Sequence, residues 1–271
     1  MTTTTPSLRA AVIGVGAMGR HHARVYTALP TTTLVGVADA DAERAHDIGT
    51  TYGVPAFTDY RALLEEQAPD LVTVAVPTSL HLPVASDALE SGAHVLIEKP
   101  IAGSVADAQA LIDRAARLDR KLMVGHIVRF DPAIQALKHH LDQGELGRIF
   151  QIVCRRVGPF PARVRDVGVV IDLAPHDLDV MRFVSGDEPE RVYAETQQEI
   201  HTAHEDMMTG LIHFAGGLTG MLEINWLTPT KVRDVTVLGE RGMFRVDSLT
   251  KDLYFYENAQ ANGEMWSALE M

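Results

Sequence analysis

The chain has 271 residues, 46% of them hydrophobic, and it carries 36 acidic against 24 basic residues, a formal net charge of −12. This acidity argues against nucleic acid or an anionic membrane surface as the partner. The length is comfortable for two domains with sizeable cores, and no apolar stretch approaches the roughly 20 residues needed to span a bilayer.

The start of the chain and its single cysteine indicate a compartment. Met1–Pro6 shows neither the basic region nor the apolar region of a secretory signal. Cys154 excludes an intrachain disulfide and a thiolate metal cluster, and its apolar neighbours predict a buried thiol. We therefore expect a cytoplasmic protein.

Strand and helix patterns alternate through the first half of the chain. Short apolar runs at 8–13, 33–38, 71–76, 94–97 and 122–125 are separated by helical patterns at 17–29, 41–49, 60–67, 81–91 and 104–119. Buried strands joined by helices predict a parallel sheet covered on both faces, with ligands at the carboxyl ends of the strands. The first half is thus predicted to be a Rossmann domain over 1–125.

A glycine-rich turn follows the first apolar run. It reads Gly14-Val15-Gly16-Ala17-Met18-Gly19. In a strand-to-helix turn, the first glycine permits the tight turn, the second lets the backbone approach a pyrophosphate, and the third lets helix and strand pack closely. The helix N-terminus then offers N–H groups to the phosphate oxygens.

An acid ends the next apolar run. Asp39 lies where a carboxylate can accept hydrogen bonds from the adenosine ribose diol and would repel a 2′-phosphate, so NAD is favoured over NADP. Asp41 is the competing acid, but it stands where a helix N-cap is wanted. The alternative is a glycine turn and a loop aspartate in another kind of α/β protein.

The second half changes character. A helix at 131–142, a strand at 149–157, an irregular segment at 158–168 and a helix at 169–185 are followed by strand patterns near 191–200, 206–214, 218–226, 232–238, 243–247 and 252–256. Consecutive strands without intervening helices predict a mainly antiparallel sheet. The fold class is therefore α/β, with an α+β domain with a large open sheet over 126–271.

Two segments carry candidate chemistry. Glu98-Lys99-Pro100 follows the strand ending at Ile97, which puts charge at the end of a buried strand. Asp172 and His176 lie four residues apart on a predicted helix that also contains Pro175, so they share a face and the proline should kink the helix. An imidazole exchanges a proton with a hydroxyl near neutral pH, and a nearby carboxylate can orient it. Taken alone, the pair would more often be an ordinary surface pair, and the catalytic interpretation depends on the other motifs.

In combination, the glycine turn, Glu98-Lys99-Pro100 and Asp172-Leu173-Ala174-Pro175-His176-Asp177 resemble the Gfo/Idh/MocA family of sugar and cyclitol oxidoreductases. The resemblance spans essentially the whole chain. It implies bound NAD(H) or NADP(H), no metal, and an open sheet used for association, so we expect NAD and a homodimer or homotetramer. Members of the family continue beyond the strand around Phe255, whereas this sequence ends at Met271.

The resemblance also implies residue roles. Lys99 would contact the reacting hydroxyl, with Asp172 and His176 on the catalytic helix. Val76-Pro77-Thr78 and His81 match the segment that runs past the nicotinamide ribose. The predicted cofactor contacts are Gly14, Gly16, Ala17, Met18, Gly19, Asp39, Pro77, Thr78, His81 and Glu98.

The substrate class is suggested by an arginine cluster directly before the catalytic helix. Guanidinium groups bind phosphate oxygens through bidentate, charge-assisted hydrogen bonds. The cluster therefore predicts a nucleotide-sugar substrate, and the stretch resembles family members that oxidise position 3 of a UDP-linked N-acetylhexosamine or its uronate. Its members are Arg155, Arg156, Arg163 and Arg165.

Other interpretations remain open at this point. The arginines could instead pair with the protein's own carboxylates or hold a dimer, which would leave a free sugar or an inositol as the substrate. A different class of function is a cofactor-binding regulator of the same fold. Both Lys99 and His176 are present, so we prefer an enzyme over a regulator. The enzyme would be a sugar dehydrogenase that acts on CH–OH groups.

Overall fold

The computed structural model describes residues 7–161, 167–200 and 203–258. The chain divides into two compact units, and the division falls between Gly125 and His126. No helix among the described residues is long and apolar enough to cross a bilayer.

The first unit is a six-stranded parallel sheet with helices between the strands, which confirms the predicted Rossmann architecture. The strand order is β3-β2-β1-β4-β5-β6. The strands are β1 (Leu8–Ile13), β2 (Thr32–Ala38), β3 (Ala56–Phe57), β4 (Leu71–Val74), β5 (His94–Ile97) and β6 (Leu122–Val124). The helices are α1 (Gly19–Ala28), α2 (Ala42–Tyr52), α3 (Tyr60–Gln67), α4 (His81–Glu90) and α5 (Val105–Arg117).

Local chemistry explains where α2 begins and ends. The side chain of Asp41 accepts the N–H of Arg44, so Asp41 is the N-cap that the sequence indicated. The helix closes on Gly53, which has a φ of 67° and supplies the left-handed residue that such an ending requires. α2 therefore extends three residues beyond the predicted end at residue 49.

The second unit is built on a mixed, mostly antiparallel sheet of seven strands, as predicted. Its order is β13-β12-β11-β7-β10-β9-β8, with β7 and β10 the parallel pair. The strands are β7 (Ile149–Pro159), β8 (Pro189–Gln197), β9 (Met207–Phe214), β10 (Thr219–Asn225), β11 (Leu227–Gly239), β12 (Gly242–Asp247) and β13 (Asp252–Glu257). The helices are α6 (Pro132–Asp142), α7 (Val169–Asp172) and α8 (Ala174–Ser185).

Helices cover one face of this sheet. Apolar side chains of α6 and α8 pack into a single core with inward-facing residues of the strands, among them Leu137, Met181 and Ile152, all fully buried. On the opposite face no helix is found in the part of the chain that the structure describes. Exposed large side chains lie there, including Leu211, Met221, Leu238, Tyr254 and Tyr256.

The prediction of one helix over 169–185 was wrong. The segment breaks at Leu173 into α7 and α8, and Pro175 lies in the first turn of α8 rather than inside a helix. A proline in that first turn removes an N–H that would have no intrahelical partner, so it starts a helix without distorting one. Asp172 and His176 consequently lie on two successive helices.

Candidate active site

The three glycines of the turn after β1 each have a separate structural reason. Gly14 has a φ of +84°, and a Cβ there would lie 2.6 Å from the carbonyl oxygen of Ala75. A Cβ on Gly19 would fall 1.7 Å from the carbonyl oxygen of Gly14. At Gly16, by contrast, a Cβ would meet nothing within 4 Å. The first and third glycines are needed by the fold, and the second leaves room for a ligand.

The same turn presents unsatisfied donors to that room. The backbone N–H groups of Gly16, Ala17 and Met18 have no acceptor among the residues that the structure describes. A hollow of about 640 Å³ opens here, lined by Gly16, Ala17, Arg20, His21 and Arg44. Free N–H groups at a helix start, together with nearby cationic side chains, suit a pyrophosphate.

Asp39 lies at the carboxyl end of β2 with its carboxylate already engaged. Its Oδ2 accepts the N–H of Val15 at 2.9 Å and its Oδ1 that of Asp41 at 3.0 Å. Arg44 also donates Nη1 to both oxygens, at 3.1 and 3.3 Å. The charge of Asp39 is therefore paired, a contact that the sequence alone did not reveal.

Glu98 lies at the carboxyl end of β5 and is 9% exposed. Its Oε1 lies 2.9 Å from Nε2 of His22, and its Oε2 accepts the backbone N–H of Lys99 at 3.3 Å. A Cβ on Gly125 would come within 3.3 Å of this carboxylate, so a glycine there leaves the space that Glu98 occupies. These contacts hold the backbone beside the half-buried Lys99. The sequence alone does not predict the contact between His22 and Glu98, because nothing local connects residues 76 positions apart.

Pro77, Thr78 and His81 follow β4 at the same edge of the sheet. Pro77 is exposed, Thr78 is half-buried and begins a short 3-10 turn, and His81 is 1% exposed. The two ring nitrogens of His81 lie 2.8 Å from the carbonyl oxygen of Pro100 and 3.0 Å from that of Val76. His81 thus ties together the segments after β4 and β5.

In the second unit, α7 is held at its start by Glu205. The backbone oxygen of Glu205 accepts the N–H of Val169, and its carboxylate accepts that of Val170 at 3.1 Å. A Cβ on Gly168 would lie 2.1 Å from that carboxylate, so the glycine leaves room for the Glu205 side chain in this position. Glu205 thereby fixes the short helix that carries Asp172. Both Asp172 and His176 are half-buried.

A buried ion pair lies under the start of α8. Arg156 of β7 donates Nε and Nη2 to the two carboxylate oxygens of Asp177 at 2.8 and 2.7 Å, and Asp177 is 2% exposed. Burial lowers the pKa of Arg156, but the charge and hydrogen bonds of Asp177 outweigh it and raise that pKa. Burial likewise raises the pKa of the neighbouring Cys154 thiol well above its usual value, which leaves the thiol unreactive.

The remaining predicted arginines have other surroundings. Arg155 projects from the opposite face of β7 and pairs with Glu223 at 2.8 Å in an exposed position. Arg163 and Arg165 lie outside the described residues. Sequence reasoning missed Arg233 of β11, which is paired in register with Arg156. Only the register of two strands far apart in sequence could have found it.

A second bidentate pair joins α8 to the segment before α6. Arg129 donates Nε and Nη2 to the two oxygens of Asp179 at 2.7 and 2.5 Å. Hydrogen bonds to Asp179 raise the pKa of Arg129. The carboxylates of Asp177 and Asp179 thus attach α8 to the sheet and to the chain after Gly125.

Both units match known sequence families. Residues 8–126 match the oxidoreductase family with an NAD-binding Rossmann fold, and residues 134–245 match the GFO/IDH/MocA C-terminal domain. The chain belongs to the Gfo/Idh/MocA family. It is therefore an oxidoreductase with an NAD-binding domain, and the open glycine turn, its free N–H groups and Asp39 fit that cofactor.

Individual relatives are dehydrogenases. UDP-N-acetylglucosamine 3-dehydrogenase of Acidithiobacillus ferrooxidans is 35% identical over 92% of this chain and 77% of its own length. Its solved structure superposes with a TM-score of 0.86 over 93% of this chain and 81% of that one, at 34% identity. Inositol 2-dehydrogenase of Rubrobacter xylanophilus is 31% identical over 88% of this chain and 71% of its own length.

The two neighbouring arginines of β7 should differ sharply in their effect on stability. Arg156→Met leaves the buried carboxylate of Asp177 without its bidentate partner and should lower the free energy of unfolding by about 3–5 kcal/mol. Arg155→Met removes an exposed pair and should cost no more than about 1 kcal/mol. Urea denaturation of the parent and both variants measures the difference. Equal losses would contradict the assignment of a structural role to Arg156.

Proposed function

We propose that the chain is a cytoplasmic NAD-dependent dehydrogenase that oxidises the hydroxyl at position 3 of a UDP-linked N-acetylhexosamine or its uronate. The observation that carries this proposal is the 35% identity to UDP-N-acetylglucosamine 3-dehydrogenase, which extends over 92% of the chain and so includes both domains. The glycine turn and Asp39 would hold the cofactor, with Glu98 supporting the backbone at Lys99.

The residues would divide the chemistry as follows. His176 takes the proton from the substrate hydroxyl as general base, and Lys99 donates a hydrogen bond to the developing alkoxide oxygen. Asp172 orients the imidazole or the substrate. When bound, NAD would be the hydride acceptor. Because Glu205 fixes α7 and Asp177 fixes α8, the carboxylate and the imidazole are each attached to a supported helix.

A second substrate class is an inositol or a free sugar. It is favoured by the pairing of Arg155 with Glu223 and of Arg156 with Asp177, which leaves neither described arginine of the predicted cluster without a counter-charge. The relative from R. xylanophilus is named for inositol. A regulator that binds NAD without turnover is the third alternative.

A homodimer or homotetramer formed through the uncovered sheet face belongs to the same proposal. Leu211 and Met221 are cross-strand neighbours there, and both are exposed. Exposed apolar side chains on one continuous sheet face are characteristic of an association surface.

Sedimentation velocity on the parent and on Leu211→Glu would test this association, since a charge on that sheet face should shift the protein toward monomer.

The substrate class is tested by a screen read as NADH absorbance. UDP-N-acetylglucosamine, its uronate, the corresponding free sugars and several inositols are compared at matched concentrations. We expect kcat/KM for a UDP-linked sugar to exceed that for any uncharged sugar. Turnover of inositols or free sugars alone would favour the second class, and NAD binding without turnover of any of them would favour the regulator.

Catalytic roles are tested by paired substitutions. Lys99→Met and His176→Ala should each lower kcat by at least about a hundredfold, because each removes a group that stabilises charge or moves a proton in the transition state. NAD affinity should change little. Matched controls are Lys138→Met and His140→Ala, whose half-buried side chains pair with Asp142 and Glu145. A purified, folded His176→Ala protein with parental kcat would remove His176 from the mechanism.

Cofactor preference is tested at Asp39. The parent should bind NAD more tightly than NADP. Asp39→Ala should reduce the difference between the two dissociation constants, because the repulsion of the 2′-phosphate is lost. Arg44 loses its main partner in that variant and can then contact the phosphate. Asp39→Ala/Arg44→Gln should therefore bind NADP more weakly than Asp39→Ala. Calorimetry measures the dissociation constants of NAD and NADP for the parent and both variants. If the parent binds NADP as tightly as it binds NAD, the role of Asp39 is contradicted.

A further inference from the structure

Arg233 lies beside Arg156 on the helix-covered face of the seven-stranded sheet. The two residues are directly paired across the antiparallel strands β11 and β7, so their side chains project to the same face. On that face Arg156 meets Asp177 of α8. Two guanidinium groups therefore lie next to each other, an arrangement that is unfavourable without matching negative charge.

The hydrogen bonds of Arg233 differ from those of the other paired arginines. Arg129, Arg156 and Arg182 each direct Nε and Nη2 at the two oxygens of one carboxylate. Arg233 donates only Nη1, to the carbonyl oxygens of Val157 and Val232, both at 2.7 Å. Within residues 7–161, 167–200 and 203–258, its Nε–Nη2 edge has no acceptor and no carboxylate forms an ion pair with it.

The positive charge of Arg233 is only partly balanced by the carboxylates around it. Asp177 is bound bidentately by Arg156, and Asp172 attracts both guanidinium groups at longer range. Burial, and then the charge of Arg156, lower the pKa of Arg233 to about 10 against the opposing effect of the two aspartates. Arg233 therefore stays charged at neutral pH, and it is partly exposed, so that a ligand can reach it.

We propose that the Nε–Nη2 edge of Arg233 binds a pair of anionic oxygens of the substrate, a phosphate of the nucleoside diphosphate, beside Asp172. The inference rests on the proposed function and deepens it. The anion contact that the sequence analysis predicted for Arg155, Arg156, Arg163 and Arg165 is assigned instead to Arg233, whose Nε–Nη2 edge has no acceptor among the described residues. A sugar carboxylate, like a phosphate, can offer two anionic oxygens to the guanidinium fork, so the test includes both sources.

Equilibrium binding and kinetics test the assignment together. UDP is titrated calorimetrically into the NAD-saturated parent, Arg233→Gln, Arg233→Lys and the control Arg182→Gln, whose arginine already has Glu188 as partner. Arg233→Gln should weaken UDP binding roughly tenfold to a hundredfold, the scale of a lost charge-assisted pair. Arg233→Lys keeps the charge but not the fork and should lie between parent and Gln. Arg182→Gln should bind like the parent.

Kinetic measurements separate this role from a structural one. The KM of Arg233→Gln for UDP-N-acetylglucosamine should rise by the same factor as the UDP dissociation constant, with a smaller change in kcat and unchanged NAD affinity. Turnover of an uncharged sugar should be unaffected. If Arg233→Gln does not fold, Arg233→Lys, which keeps a charged donor near the Val157 carbonyl, carries the same comparison.

The outcomes distinguish the two proposals. If Arg233→Gln binds UDP like the parent and also keeps the parental KM for the UDP-linked uronate, the assignment of Arg233 is overturned and the proposed function still stands. A parent that neither binds UDP nor oxidises any UDP-linked sugar or uronate overturns both. Weakening confined to the uronate supports Arg233 as the anion site and identifies the sugar carboxylate as its ligand.

Discussion

The ion pair between Arg156 and Asp177 is the contact that positions the candidate catalytic helix of the second domain. Asp177 follows His176 directly, and its carboxylate is held at both oxygens by a guanidinium rooted in the central strand β7. Two charges this deeply buried are stable only when paired, because each alone would bear a large desolvation cost. The pair therefore fixes both the position and the rotation of the first turn of α8. The ion pair therefore also orients the imidazole of His176, which lies one residue earlier.

The break at Leu173 follows from the same arrangement. α7 is anchored at its start by Glu205, and α8 is anchored in its first turn by Asp177. A continuous helix would have to satisfy both anchors with one axis. Pro175 cannot donate the backbone hydrogen bond that an uninterrupted helix would need at its position, so two helices with a short break are the stable solution. Asp172 and His176 thereby belong to separately supported elements.

Local signals in the sequence were sufficient for most elements of both domains. The glycine turn, the Asp41 cap and the alternation of strands and helices are encoded within a few neighbouring residues, and the structure confirms them. Strand β3 was missed because two residues carry no periodic pattern. The helix over 169–185 was drawn too long because its apolar spacing continues through the break, so that periodicity alone gives no stop at Leu173.

The charged contacts were beyond the sequence for a different reason. His22 and Glu98, or Arg156 and Arg233, are brought together by strand order and register, which a pattern of neighbouring residues does not specify. A run of arginines shows that cations are present but not which face of a strand each one occupies. Arg155 and Arg156 are adjacent in sequence and project to opposite faces, one to an exposed pair and one to a buried pair. Because side chains alternate between the two faces of a strand, neighbouring members of the arginine cluster have different surroundings.

The overall charge of the chain limits how any anion can be recognised. With a formal net charge of −12, long-range attraction cannot draw a phosphate or a carboxylate toward the protein. Recognition must come from cations at short range, where partial burial strengthens each contact. In the first domain Arg20 and Arg44 line the hollow beside the open glycine turn. In the second, Asp177 and Asp179 bind the arginines Arg156 and Arg129 at both oxygens. In the described part of that domain, Arg233 has an Nε–Nη2 edge that no carboxylate occupies, which is why we assign a ligand anion to it.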